Sequence, residues 1–184
     1  MALQITVSRT PEQLAADAAA LSTVDWPRVW SGFGTGDPAG WCESFGWELI
    51  TIGRSDDCTV RLPSGGTLSL AAPRRSGNGP AIREGVVPGW RVEAETGADN
   101  PGILDSAETE WMPYLDAVRT VLGDPSGRTP PGLAEGQPFR SASWRLEGAL
   151  AELSAFPSDD VGSGRIPGDL GLDLVIRADT PDAS

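Results

Sequence analysis

Apolar and polar residues alternate along Leu3-Gln4-Ile5-Thr6-Val7, the period of a strand with one buried face, so the pattern turns Leu3, Ile5 and Val7 inward. Thr10-Pro11-Glu12-Gln13 follows with an N-cap hydroxyl, a proline at the first helical position and a capping-box Gln three residues after the cap. It predicts a helix to about Ser22 with Leu14, Ala18 and Leu21 on the buried side. Asp37-Pro38 repeats that arrangement ahead of a short helix through Trp41 and Phe45, and Gly46 stands where a left-handed residue closes a helix. Between these helices, Trp26, Trp30 and Gly32-Phe33-Gly34-Thr35-Gly36 read as a flexible link carrying large rings.

Residues 47–52, 59–62 and 67–71 form three strand-like runs, the last two joined by a Ser64-Gly65-Gly66 turn. Residues 72–82 are broken by Gly and Pro and read as a loop. A strand from about 89 to 96 puts Trp90, Val92 and Ala94 on one face. Asp105 and Glu108 then cap a helix whose Trp111, Tyr114, Leu115, Val118 and Leu122 share a face, with Gly123 closing it. Pro113, tolerated near a helix start, puts its regular part from about Thr109. Residues 125–138 form a polar connection. Residues 143–146 and 150–156 pair across Glu147-Gly148, and Leu170, Leu172, Leu174 and Ile176 alternate as a last strand. Helices and strands fall into separate blocks. That order predicts an α+β domain over residues 1–178, a mainly antiparallel sheet of about six to seven strands packed by two longer helices and one short helix. Residues 179–184 form a frayed tail.

Composition narrows what such a domain can do. The 184 residues contain no His and no Lys, so all 14 cations are Arg, set against 26 acids for a net charge of −12. That removes imidazole-based nucleophile pairs, imidazole-ligated zinc, the Walker lysine and Schiff-base chemistry. A pI near 4.3 with no basic stripe disfavours nucleic acid and favours a basic protein partner. The same acidic, all-Arg, Ala/Gly/Pro-rich composition is also what a high-GC genome writes by default. Cys42 and Cys58 are two thiols without a C-x-x-C spacing, expected to be buried and free. No cofactor or metal is expected. No run of 18 apolar residues and no basic leader is visible, so a cytoplasmic protein without membrane contact is expected.

From 84 to 118 eight acids face Arg91 alone. Glu93, Glu95, Asp99, Asp105, Glu108 and Glu110 are therefore the candidate partner-binding residues. Trp26 and Trp30, off any periodic face, join them as exposed rings, because Trp is frequent among interface hot spots. Three local motifs carry other chemistry. Residues 52–63, Ile-Gly-Arg-Ser-Asp-Asp-Cys-Thr-Val-Arg-Leu-Pro, resemble the opening signature of forkhead-associated domains, which would imply phosphothreonine reading with Arg54 and Ser69 at the phosphate. That family's His position is Ala72 here, and Asn78-Gly79 arrives early. Residues 32–36 have the glycines of a phosphate cradle without a preceding strand or a terminal Lys. Residues 159–164 have the oxygen-rich look of a calcium loop without its alternating ligands or late Glu. A loop and a surface turn account equally for these last two.

Asp25-Trp26, Phe45-Gly46-Trp47, Leu122-Gly123-Asp124-Pro125 and Ser143-Trp144-Arg145-Leu146 together give the chain a resemblance to small α+β proteins of high-GC Gram-positive bacteria. Several of those are regarded as immunity proteins of polymorphic-toxin or secretion loci. The resemblance implies a non-enzymatic inhibitor that masks a basic toxin encoded nearby, as monomer or homodimer. A secretion or folding chaperone, which would be a dimer with an exposed apolar groove, is the alternative. A carboxylate-based enzyme, which would need two acids of separated pKa in one pocket with Tyr114 or an Arg, is a further one.

Overall fold

The structure is a computed structural model that describes residues 2–34, 36–53, 57–71, 82–130, 132, 137–158, 160–163 and 166–179. Strand β1 (Leu3–Val7) leads into helix α1 (Pro11–Leu21), followed by the short helices α2 (Trp26–Trp30) and α3 (Pro38–Glu43). Strands β2 (Glu48–Ile52), β3 (Cys58–Arg61), β4 (Thr67–Ala71) and β5 (Glu84–Ala94) come next, then the long helix α4 (Asn100–Leu122). Strands β6 (Gly127–Thr129), β7 (Arg140–Leu146) and β8 (Ala149–Pro157), helix α5 (Asp160–Ser163) and strand β9 (Asp169–Ala178) complete the described elements. Among the described residues nine strands join one sheet, in the order β2-β3-β4-β5-β9-β8-β7-β6, with β1 pairing β5, and all eight pairings are antiparallel. No helix among the described residues is long and apolar enough to cross a membrane.

The alternation in β9 sets the two layers. Leu170, Leu172, Leu174 and Ile176 are fully buried under the helices, and their cross-strand partners Val92, Trp90 and Val87 on β5 and Ala155, Leu153 and Ala151 on β8 continue the same face. Helix α4 presents Ile103, Ala107, Trp111, Tyr114, Leu115 and Val118 to this face, and α1 adds Leu14, Ala18 and Leu21. The residues between them in the strands, such as Glu84, Glu152 and Arg177, form the opposite, polar face.

Strand β5 changes partner halfway, and a bulge makes that possible. Its first residues pair with β4 and its last with β1, and Gly89 is skipped in the register between Pro88 and Trp90. The Gly89 carbonyl accepts the Ser8 and Arg9 N–H groups, both at 2.9 Å, while a Cβ there would meet the Leu172 carbonyl at 2.7 Å. Only glycine fits. Gly148, at φ +73° in the β7–β8 turn, is held likewise, since a Cβ would run into Pro27.

A buried polar junction ties helices to hairpin. The fully buried Asp17 carboxylate accepts Arg9 Nε at 2.8 Å, a second Arg9 nitrogen at 3.0 Å and Ser64 Oγ at 2.5 Å. The Arg9 guanidinium also reaches the Ser64 carbonyl at 3.0 Å, and Tyr114 Oη donates to the Arg9 carbonyl at 2.7 Å. Asn100 makes a comparable latch: its amide donates to the Asp160 and Ile166 carbonyls and accepts the Gly168 N–H.

Several elements depart from expectation. The sheet has nine strands among the described residues rather than six or seven, and one of them, β6, pairs Gly127–Thr129 of the supposed connection with β7. Helix α4 starts at Asn100 with Pro101 in its first turn, not at an Asp105 cap, and runs through Pro113. That proline lies on the exposed side, where water can serve the carbonyl left without an N–H donor. Ile5 and Val7 share the helix-side face with Val92 and Trp90, yet each is 54% exposed, because no helix reaches over the sheet's margin.

Removing Arg9 leaves Asp17 buried with one hydroxyl donor, whereas removing Asp17 frees a guanidinium that is 13% exposed and can turn to water. Arg9→Ala should therefore cost about 3–5 kcal/mol, and more than Asp17→Ala. Urea unfolding at constant m-value checks this, with Asp105→Ala as a surface control expected within about 0.5 kcal/mol of the parent.

Candidate functional site

At 100° per residue, the buried residues of α4 centre on Tyr114 and Val118, which places Asp105, Thr109, Met112, Asp116 and Thr120 along the opposite, outward line. Met112 is 46% exposed on that line. Glu108 falls on the flank toward β7, where Arg140 donates to its carboxylate. Arg119, on the same flank, is shared between Asp116 and Asp124, at 3.3 and 2.6 Å. Glu108, Asp116 and Asp124 thus pair with two guanidiniums, while Asp105 and the exposed Met112 stand on the outward line.

The other candidate acids lie elsewhere. Glu110 is on the α1 flank, where it and Glu12, together with burial as the larger cause, push the Tyr114 phenol up to about 12. Glu93 is on the polar sheet face beside Arg91, which also faces Asp169. Glu95 follows the end of β5 and is exposed. Asp99 precedes α4, where the Thr96 hydroxyl and the Ala2 N–H donate to it and hold its pKa below the usual range. The contiguous acidic stretch is therefore split between two sides of the molecule.

Trp26 and Trp30 are not exposed, which corrects the expectation from sequence. The supposed flexible link folds as α2, capped by Asp25 with Pro27 in its first turn. Trp26 is fully buried and Trp30 is 6% exposed, stacked at 4.9 Å. Their indole N–H groups donate to the Leu21 and Gly148 carbonyls at 3.0 and 2.8 Å. Trp47 touches Trp26, Trp41 and Phe45, and Phe33 meets Trp41 edge-on, so six rings from residues 26–47 form one cluster. Beside it, a groove of about 400 Å³ is lined by Val24, Asp25, Arg28, Phe45, Trp47 and Pro63. Arg28 is committed there, donating to Ser44 and lying 4.9 Å over the Phe45 ring.

The polar sheet face holds a carboxyl with a raised pKa. Asp173 is half-buried opposite Ser154 and Pro88, and burial raises its pKa against the opposing effects of the Gly89 N–H bond and the Arg91 charge. Sequence gives little sign of it, since an Asp between Leu172 and Leu174 reads as an ordinary outward position. A groove of about 280 Å³ on this face is lined by Thr51, Gly53, Asp57, Thr59, Ser69 and Val86 among others. Gly53 and Ser69 of the forkhead-associated look-alike meet there, on one sheet backed by helices rather than in a sandwich. Residues 54–56, 72, 74–75 and 78–79 of that motif, and Asp159 of the oxygen-rich turn, lie outside the described residues. Thr35 of the glycine-rich link does too. Among the described residues no three His, Cys, Asp or Glu side chains gather as a metal site.

Both thiols are buried and free. Burial, with the neighbouring Cys42 and Asp57 as smaller causes, lifts Cys58 to about 12, and burial also raises Cys42. Neither is a thiolate at neutral pH. No protein-family profile matches the chain, and no curated protein matches it. Among solved structures it is similar to a DUF4309 family protein, YjgB, from Bacillus subtilis, at 7% identity and a TM-score of 0.35 over 94% of this chain and 97% of that one. At that level the likeness assigns no role to any residue.

Two outcomes follow from the titrating groups. The folded chain holds the Asp173 proton at a pH where the unfolded chain has released it, so stability falls as pH rises from the ordinary Asp value toward the raised one. Asp173→Asn should then leave the melting temperature unchanged in acid below that window and raise it at neutral pH. Cys42 and Cys58 should react with a thiol-specific disulfide reagent at the global unfolding rate, and fast labelling of the native protein would contradict their burial.

Proposed function

We propose that the chain is a non-enzymatic binding protein that masks a basic protein partner, as an immunity protein masks a toxin. The observation that carries this reading is the outward line of α4, where an exposed Met112 stands among Asp105, Glu108 and Asp116. An apolar anchor within a polar rim is a common interface anatomy, Met is enriched at interfaces, and thioethers adapt well to a partner's surface. The chain's charge of −12 adds a long-range pull on a cationic partner. Catalysis is served poorly by the groups available. The Tyr114 hydroxyl is spent on the Arg9 carbonyl, and both thiols are held protonated.

The test is co-expression with the protein encoded beside it. That neighbour should be toxic alone, harmless with this chain, and recovered in complex with it. Asp105→Arg combined with Asp116→Arg should slow association about tenfold at low ionic strength and flatten its salt dependence, with the melting temperature little changed. Met112→Ala should mainly speed dissociation. A harmless neighbour, or association indifferent to these changes, would sink the reading.

A further inference from the structure

Among the described residues three strands bound the sheet laterally, and two are defended against pairing. β6 is three residues long and carries Arg128, while β2 carries Glu48 and a register break around Ile50. Shortness, charge and bulges are the devices by which edge strands avoid new partners. β1 has none of them. Its residues, Leu-Gln-Ile-Thr-Val, include no charge and no proline, and they pair with β5 in unbroken register from Leu3 opposite Ala94 to Val7 opposite Trp90. Ile5 and Val7 lie uncovered on it, the most exposed large apolar residues among those described.

We propose that β1 is a homodimer interface, pairing antiparallel with the same strand of a second copy about a two-fold axis at Ile5. In that register Leu3 faces the partner's Val7, Ile5 faces the partner's Ile5, and Gln4 faces the partner's Thr6. Three apolar side chains from each copy then line the helix-side face, and amides meet hydroxyls on the other. The polarity of the strand is symmetric about Ile5, as an isologous contact requires. Charge selects the occupant. The strand itself carries no charge, and on its polar face Gln4 lies opposite Glu93 and Thr6 opposite Arg91, so the two-fold register puts the Glu93 of each copy in line with the Arg91 of the other. No residue of α4 takes part, so this inference stands apart from the binding reading above.

Sedimentation of the protein, tagged at its C-terminus, across a micromolar to near-millimolar series should give a mass rising toward twice the 19.3 kDa chain. Added salt should strengthen the dimer by screening like charges, the reverse of its effect on a basic partner. Ile5→Lys should be monomeric throughout with an unchanged melting temperature, and Ile50→Lys on β2 should dimerise like the parent. In the parent chain itself, hydrogen exchange at Gln4–Val7 should slow as concentration rises. A monomer at every concentration, a dimer broken by Ile50→Lys, a dimer indifferent to Ile5→Lys, or exchange independent of concentration would each overturn the proposal.

Discussion

The structure depends on keeping one twisted sheet and one pair of helices in a single relative setting. Apolar burial supplies the attraction between layers but no direction. Direction comes from the Asp17 carboxylate, which receives donors from the β1–α1 connection and from the β3–β4 hairpin at once. The Tyr114 hydroxyl on the Arg9 carbonyl adds α4 to the same junction. Gly66 is needed beside it, because a Cβ there would collide with the carboxylate. Sliding either layer would leave a buried charge without donors, a far larger penalty than losing a few van der Waals contacts.

The aromatic cluster plays the matching part beside this junction, where Phe45 and Trp47 share a groove with Pro63. Helices α2 and α3 are too short to be stable alone, and they hold their places because the rings of Trp26, Trp30, Trp41 and Trp47 pack on one another and on the strands. Trp30 reaches the β7–β8 turn through its N–H, so this lobe is fastened to the far side of the sheet as well. The tryptophan rings are thereby used up in the fold, which shifts any adhesive role to exposed side chains such as Met112, Ile5 and Val7.

Charge follows a comparable division. Several arginines are engaged by carboxylates within the fold: Arg9 by Asp17, Arg140 by Glu108, Arg119 by two acids and Arg177 by Glu84 and Glu152. With no lysine in the chain, the cations that remain do little to offset the acid excess. Acids stand on both the α4 side and the sheet side, while β1 itself contains no charged residue.

Local grammar alone determined much of the framework. The capping box at Thr10, the Asp37-Pro38 start, the Gly46 stop, the Gly65 and Gly148 turns and the alternation of β9 are each set by residues close in sequence, and each element formed where its pattern lies. Tertiary structure decided what depends on distant neighbours. It buried Trp26 and Trp30 by giving them partners up to 118 residues away. It left Ile5 and Val7 uncovered although their alternation matches that of a buried strand, and it divided an acidic stretch contiguous in sequence between two sides of the molecule. It also half-buried Asp173 at a position that alternation reads as open. A period of two or 3.6 residues says which side chains share a face, but whether that face meets protein or water is settled only when the layers close.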